Sequence, residues 1–425
     1  FDTLLTRRTA TPFGLYLFMG FRMLRMNEIL SGFNAQEFAE FRMRSEKIAR
    51  ERSASEEITL REIYEVFALE SKLGGNEIDA LIKLEEDTEI ELSVPIPRNI
   101  GSVESLIEQG RDVICVCDTY LSRSVIERLL AKSGLEPGHL EIYLSSEIKK
   151  TKTSGRLFEH VLKEKKIKAK HLLHIGDDEN GDFAVPRRLG IQAELFKGAE
   201  ITNYEKVYLD VQNPYHQLYA GASRAARLHN YSCNPFFNIG CSLGGPILYG
   251  FVEWVLEQAR LAGLRRLYFL ARDGQIMMRI AEIINEKRRL GLELKYLYAA
   301  RQASHFSAIF NLNERDIQLA TLYFSPITLE MIANRLNIDT EELLAACRNG
   351  SRKAISIRKK ANESLDADEV DFIRHMLRED ERLRSSIIGK AEQKREMMLC
   401  YLSQEGLLDS DVVAIVDIGW TGGMQ

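Results

Sequence analysis

The spacing of hydrophobic residues along the first part of the chain changes near residue 94. Between residue 13 and about residue 92, apolar residues recur at intervals of three and four, as in AQEFAEFRMRSEKIARE, and this spacing predicts amphipathic helices. Thr59 and Glu62 have the spacing of a helix-capping pair. The pattern ends at residues 94 to 97, because proline and the residue before it resist the helical conformation. We therefore predict a helical module at about residues 13–94.

Beyond residue 97, short β-like runs alternate with helical segments. RDVICVCD, HLEIYLSS and HLLHIG are apolar enough to be strands, and helical patterns lie between them. Strands that alternate with helices predict an α/β fold with a doubly wound parallel sheet. Residues 201–246 mix Asn, Tyr, Gly and Pro without a clear period, and this mixture predicts an irregular connection.

A second α/β domain is predicted at residues 247–425. RRLYFLARDG, LELKYLYAARQA and VVAIVDIGWTGG predict its strands, with a helical insertion at about residues 311–405. The first domain is then residues 1–200, with a Rossmann-like core at about 1–12 and 95–200 into which the helical module is inserted. The chain opens on FDTLL and stops inside a Gly-rich turn, so we expect it to be a fragment of a longer polypeptide.

An acidic turn follows the predicted strand HLLHIG. Gly176 breaks the strand, and Asp177, Asp178 and Asp182 follow it closely. Carboxylates crowded on one turn raise each other's pKa unless a cation neutralises them, and Mg²⁺ prefers oxygen ligands of this kind. The alternative is a polar loop in which an Asp caps the next helix. Alone, the turn does not decide between these two interpretations.

Two other candidate residues are a lysine that precedes a predicted helix and a cysteine that ends a predicted strand. Lys152 lies just before a helix that begins near Thr153 or Ser154, and a lysine beside free backbone N–H groups suits a phosphate. The alternative is a solvated run of charged residues. Cys117 ends a strand and shares one face of it with Cys115, a pattern that core packing also explains.

Composition narrows the class of protein. A hydrophobic content of 45%, a charged content of 28% and a net charge of −5 are typical of a soluble protein and do not imply a nucleic-acid partner. The six cysteines are scattered without zinc spacing, which predicts free thiols in a reducing cytoplasm. We found neither a signal peptide nor a window of about 18 to 20 apolar residues, so we expect a cytoplasmic protein without a membrane span.

Four motifs occur in an order that is similar to a known family. FDTLL, CVCDTYLS, KTKTSG and IGDDENGD, with a helical module between the first two, resemble the haloacid dehalogenase superfamily over about residues 1–200. The resemblance implies a Mg²⁺-dependent, phosphatase-like hydrolase with a helical cap, acting on a small phosphorylated metabolite such as a sugar phosphate. It also implies a nucleophilic Asp two residues before Phe1, outside the printed chain.

The resemblance assigns roles to individual residues. Lys152 would offset charge in the transition state, and Cys117 stands where the family has a Ser or Thr that binds the phosphoryl group. Asp177 would bind Mg²⁺, Asp182 would support the metal or orient Lys152, and Asp178 would be a reserve ligand. Phe1 occupies the position of the second Asp of the phosphatase members, as in the dehalogenase branch.

The second domain has its own candidate residues. Arg272, Asp273, Arg301 and Asp417 each follow a predicted strand, and side chains at the carboxyl ends of parallel strands meet at one edge. Asp-Gly is also ordinary turn chemistry. The phrases FLARDG and VDIGW resemble those of bacterial predicted hydrolases linked to glycosyltransferases of polysaccharide synthesis, so a fused or associated glycosyltransferase is an expected partner.

Three functional hypotheses follow. The first is hydrolysis of a phosphorylated metabolite by the first domain. The second is a catalytically idle domain that binds a phosphate or a sugar and regulates or scaffolds an attached enzyme; Phe1 and Cys117 favour it. The third makes the second domain the catalytic one, transferring a sugar or phosphate group.

Overall fold

A computed structural model describes most of the chain in two compact units. The described residues are 1–26, 33–71, 75–207, 209, 214–230, 234–299, 301–322, 327–346, 363–409 and 412–419. The units are Phe1–Ile247 and Leu248–Gln425. Both combine helices with small, mostly parallel sheets, which is the mixed α/β class that the alternation of strands and helices predicts. Trp420 and the Gly-rich turn after it lie outside the described residues.

The first unit contains a helical block of four helices. They are α1 (Pro12–Met26), α2 (Ala35–Arg52), α3 (Leu60–Ser71) and α4 (Gly75–Leu92). The capping pair predicted before α3 is confirmed, because the Thr59 N–H donates to Glu62 and the Glu62 N–H donates back to Thr59 Oγ1. The helical prediction for this part of the chain is therefore confirmed for the residues that the structure describes.

Three pairs of strands form the sheets of the first unit. β1 (Leu5–Arg7) and β2 (Ser93–Pro95) pair antiparallel at the base of the helical block. The parallel pairs are β3 (Ile114–Cys117) with β4 (Glu141–Leu144), and β5 (Leu173–Gly176) with β6 (Gln192–Leu195). The helices around them are α5 (Pro97–Glu108), α6 (Arg123–Lys132), α7 (Ser145–Ile148), α8 (Arg156–Lys165) and α9 (Val185–Arg188).

One hydrophobic core joins the helical block to the α/β part. Its buried side chains include Leu15, Phe38 and Phe67 from the block, and Leu129 and Leu144 from the α/β part. Burial of such side chains stabilises a fold by about 1.5–3 kcal/mol each. The two parts therefore share much of their stabilising surface.

A buried cation lies within this shared core. The Arg42 guanidinium, which is fully buried, forms two hydrogen bonds of 2.7 and 2.8 Å with Glu85, and the Tyr64 hydroxyl also donates to Glu85. The guanidinium packs over the rings of Tyr16 and Tyr120, at 4.7 and 5.3 Å from their centroids. Since Tyr120 follows β3, this cluster connects the block to the α/β part.

The prediction of an irregular connection at residues 201–246 is wrong for the described residues. That stretch contains α10 (Asn203–Lys206), α11 (Pro214–His229), α12 (Pro235–Ile239) and the start of α13 (Gly245–Leu261). The buried Glu205 explains the missing pattern, because it accepts hydrogen bonds from Arg227, Ser223 and Ser242. Because the buried positions of these helices include polar residues that bind the Glu205 carboxylate, the helices lack a simple apolar period.

The apolar stretch Pro235–Leu261 modifies the expectation of no membrane span. Among the described residues it is the one helical stretch long and apolar enough to cross a membrane, with a mean hydropathy of 1.4. The test uses length and composition alone, and one such helix is weak evidence for a span. It contains the acidic residues Glu253 and Glu257.

The second unit has a parallel sheet and a helical insertion. The strands β7 (Arg266–Leu270), β8 (Glu293–Leu297) and β9 (Val413–Val416) lie in the order β8-β7-β9. The insertion has a separate hydrophobic core. The helices are α14 (Asp273–Arg288), α15 (Arg301–Ser307), α16 (Glu314–Ala320), α17 (Leu329–Arg335), α18 (Thr340–Ala346), α19 (Ala367–Glu379) and α20 (Glu381–Gln404).

Candidate functional site

The centre of the candidate site is the buried carboxylate of Asp182. It lies in a wide helical turn, Glu179–Ala184, that follows β5, and only 2% of the residue is exposed. The Lys152 ammonium forms an ion pair with Oδ1. His174 Nε2 lies 2.8 Å from the same oxygen, and the Asp178 N–H donates to Oδ2 at 3.1 Å. Both oxygens of Asp182 are therefore engaged within the protein.

The Lys152–Asp182 pair is ionised at neutral pH. Burial alone would raise the pKa of the Asp182 carboxyl, but the hydrogen bond with His174 and the charge of Lys152 outweigh it and hold that pKa well below its usual range. Burial likewise works to lower the pKa of Lys152, and Asp182 raises it more than burial lowers it. The lysine thus remains a fixed positive charge at this position.

Gly176 makes room for Asp182 at the end of β5. A Cβ atom at residue 176 would lie 2.3 Å from Asp182 Cγ and 2.4 Å from its Oδ2. No side chain fits at that distance, so glycine is required here by the close approach of the carboxylate.

Asp177, the next residue, has a different environment. Its Oδ1 accepts a hydrogen bond of 2.8 Å from the Thr3 hydroxyl. Partial burial raises the pKa of Asp177, and the negative charges of Asp2 and Asp182 act in the same direction, although the Thr3 hydrogen bond opposes them. Neighbouring carboxylates that raise one another's pKa favour a cation between them.

The loop that carries Lys152 is held from two sides. Both carboxylate oxygens of Asp118 accept the Lys152 N–H, at 2.8 and 3.0 Å. From the loop before α3, Glu56 accepts the Thr151 N–H at 2.8 Å. Burial raises the pKa of Asp118 in spite of its bonds to the lysine. The loop position therefore depends on one acid that follows β3 and one that belongs to the helical segment.

Cys117 lies at the end of β3, within the electric field of Lys152. Its sulfur is 3.5 Å from that of Cys115, and both residues are half-buried. The hydrogen bond from the Cys115 thiol lowers the pKa of Cys117 to about 6, and the positive charge of Lys152 contributes to the shift. A thiolate here differs chemically from the hydroxyl donor that the family resemblance implies.

The first set of predicted residues converges in the structure. Lys152 contacts Asp182, and its charge acts on Cys117; Asp182 in turn acts on the neighbouring Asp177. Asp178, predicted as a reserve ligand, caps the turn, because its Oδ1 accepts the N–H groups of residues 180 and 181. Within the described ranges, no group of three or more His, Cys, Asp or Glu side chains has metal-site geometry.

Three contributors to the site were not predicted. Asp118 directly follows Cys117 within the quoted motif CVCD, and its place at the end of a strand was the available signal. His174 alternates with apolar residues in β5, where a single polar residue has no distinctive pattern. Glu56 is distant in sequence, so its contact with the Lys152 loop depends on the tertiary fold.

The second set of predicted residues lies at one edge of the second sheet. Arg272 follows β7 with φ of 75° and ψ of −92°, and its N–H donates to the Tyr296 hydroxyl at 2.8 Å. Asp273 begins α14, and Asp417 follows β9. The Arg301 side chain lies outside the described residues. Among the described side chains at this edge, no hydrogen bond or ion pair joins Arg272 to Asp273 or Asp417.

Comparison with known proteins does not assign the chain to a family. No protein-family model matches it, and no curated protein has a significantly similar sequence.

Proposed function

We propose that the first unit is a Mg²⁺-dependent, phosphatase-like hydrolase of the haloacid dehalogenase superfamily. Its substrate would be a small phosphorylated metabolite, such as a sugar phosphate, in the cytoplasm. The observation that carries the proposal is the buried Lys152–Asp182 ion pair beside Asp177. A fixed cation and a carboxylate with a raised pKa at the end of a parallel strand are the groups that a phosphate and a metal require.

Lys152 supplies the positive charge for the substrate. Its ammonium has three donors, and the contacts that the structure describes with Asp182 leave capacity for an anionic oxygen. Since only 14% of the side chain is exposed, water screens this charge weakly. Lys152 would therefore stabilise negative charge that develops on the phosphoryl group.

Among the described acids of the candidate site, Asp177 suits Mg²⁺ best. Mg²⁺ usually keeps several waters and takes only one or two carboxylates besides the substrate phosphate, so a single free carboxylate oxygen is compatible with it. Asp177 uses Oδ1 for Thr3, whereas both oxygens of Asp182 are occupied. We therefore assign Asp177 as the ligand and Asp182 as the residue that orients Lys152. When bound, Mg²⁺ would offset charge on the phosphoryl oxygens.

A comparison of two lysine variants tests this function. With the full-length protein and an aryl phosphate as substrate, Lys152→Met should lower kcat/KM by about 10²- to 10³-fold, as removal of a stabilising donor does. Lys150→Met is the matched control and should leave the rate unchanged. Equal rates for the two variants would contradict the proposal, as would full activity of the parent in the presence of a metal chelator.

Binding without turnover is the second candidate function. Cys117 favours it, because a thiolate beside Lys152 occupies the position where an entering phosphate would need a donor. Such a domain would regulate or scaffold an attached enzyme, for which a glycosyltransferase is our candidate. Calorimetry separates the two functions: phosphate binding that Lys152→Met abolishes, without hydrolysis of any phosphate ester by the full-length parent, would select the binding function.

A further inference from the structure

The two cysteines of β3 have an arrangement that the proposed function does not use. Cys115 and Cys117 lie two residues apart on one face of the strand, with their sulfur atoms in hydrogen-bonding contact at 3.5 Å. The other cysteines of the described chain, Cys241 and Cys400, are single thiols in separate helical segments. The pair therefore has chemistry that the two single thiols in the described part of the chain lack.

We propose that Cys115 and Cys117 form a reversible, peroxide-sensitive dithiol, in which Cys117 is oxidised first and Cys115 closes an intrachain disulfide. The proposal does not depend on phosphatase activity. It rests on the contact between the two sulfur atoms, on their half-buried position and on the ammonium of Lys152 nearby.

The surroundings give the two sulfur atoms different roles. The thiolate is the reactive form of cysteine, and the Cys115 thiol and the Lys152 ammonium both stabilise it on Cys117. The pKa of Cys115 moves in the opposite direction, because its proton is held by the hydrogen bond to Cys117 and because burial disfavours its charged form. Cys117 is also the last residue of β3 and the one of the two whose charge acts on Lys152, so we assign it as the attacking sulfur and Cys115 as the resolving one.

The chemistry balances with one molecule of hydrogen peroxide. The Cys117 thiolate attacks one peroxide oxygen, the O–O bond breaks, and hydroxide leaves while Cys117 becomes a sulfenic acid. The hydroxide takes the proton of Cys115, whose sulfur then attacks the Cys117 sulfur. The S–S bond forms and the S–O bond breaks, releasing a second hydroxide. The pair loses two electrons, and the peroxide is reduced to water once protons are restored.

The geometry predicts that the disulfide is strained and easily reduced. Two residues of a parallel strand span about 6.6 Å, near the upper limit of about 6.8 Å for the Cα atoms of a disulfide. The bond is thus within reach only with bending of β3. Strained disulfides are the labile ones, so we expect a mild dithiol reductant to restore both thiols.

The expected rate advantage of Cys117 is modest. The lowered pKa of Cys117 favours its thiolate at neutral pH. Lower basicity also makes a thiolate a weaker nucleophile, so the two effects partly cancel. The diagnostic feature is therefore that two thiols disappear together.

Tryptic mapping of the intact protein tests the proposal. Arg111 and Arg123 flank a peptide, DVICVCDTYLSR, that contains both cysteines and no other. After a low dose of peroxide, this peptide should lose both alkylation sites and the mass of two hydrogen atoms, and dithiothreitol should restore both. The peptide that follows Arg395 contains Cys400 as its single cysteine, so it is the internal control and should remain alkylated. Retention of both alkylation sites in the β3 peptide, or a disulfide to a different peptide, would overturn the proposal.

Two single variants test the assigned roles. In Cys115→Ala, oxidised Cys117 should stop at the sulfenic acid and react with dimedone; in Cys117→Ala, Cys115 should remain alkylatable at the same dose. Circular dichroism verifies that each variant is folded. Oxidation of Cys115 in Cys117→Ala at the parental rate would refute the assignment. If neither variant folds, the parent protein still tests the proposal. A β3 peptide that keeps both alkylation sites after peroxide treatment would refute it.

Discussion

Replacement of Asp182 by Asn should destabilise the first unit strongly. The variant keeps the shape of the side chain but leaves the Lys152 ammonium, 14% exposed, without its principal counter-charge. Removal of one partner of a buried ion pair typically costs 3–5 kcal/mol. Cys117 and Asp118 also act on Lys152 and offset part of the loss, so we expect about 3 kcal/mol.

The converse variant should cost less, and the double variant should show coupling. In Lys152→Met, Asp182 keeps the hydrogen bonds from His174 and from the Asp178 N–H, so we expect a loss of about 1–2 kcal/mol. With both residues replaced, neither charge of this ion pair is left without its partner. The double variant should therefore be more stable than the sum of the single losses predicts, by about 1.5 kcal/mol or more.

Urea unfolding of the full chain provides the assay. The first unit contains no tryptophan, so tryptophan fluorescence does not follow its unfolding and provides an internal control. Hydrogen exchange of peptides from α8 and β5 follows the first unit. Single-variant losses that add within about 0.5 kcal/mol would refute the coupling, and so would a shift of the tryptophan transition alone.

Two further predictions concern the same site. Gly176→Ala should displace Asp182, because the new Cβ would lie 2.3 Å from its Cγ; we expect a loss of about 1–3 kcal/mol in the same urea assay, and an unchanged unfolding midpoint would contradict the packing argument. Acid should also weaken the first unit. Because the folded-state pKa of Asp182 is depressed, its contribution is fully present above the unfolded pKa of about 3.9 and is lost as the pH falls below it. Unfolding free energies at pH 7 and pH 3 should differ less in Asp182→Asn than in the parent, and an equal difference would exclude this linkage.

The local sequence pattern predicted the positions of the strands better than it predicted which strands pair with each other. RDVICVCD, HLEIYLSS and RRLYFLARDG carry enough apolar residues to predict β3, β4 and β7. Most residues of β4 and β7 are buried and those of β3 are half-buried, which accounts for their apolar runs. The pattern of residues 1–8 does not show that β1, which begins at Leu5, pairs with β2, almost ninety residues later. That pairing depends on the whole helical block folding between the two strands.

The candidate site was predictable only where its residues share a motif. Lys152, Asp177 and Asp182 each follow or precede an element whose period is readable, and parallel strands bring such positions to one edge. The contributions of His174 and Glu56 depend on which side chains are neighbours in space. No local period encodes that information. The same holds for Glu205: because its buried partners are polar, the helices around it lack the apolar period that would have predicted them.

The Arg42 cluster has a consequence for the modularity of the fold. A helical insertion that occupied its own stable core could be excised or transplanted as an independent piece. Here Tyr120 from the α/β part lies over the buried guanidinium, and its hydroxyl is 3.0 Å from that of Tyr16 in α1. Excision would remove Tyr120 from one side of the guanidinium and leave Tyr16 and Tyr64 as the rings that cover it. The helical block should consequently be inherited, expressed and lost together with the sheet that it covers, as one evolutionary unit.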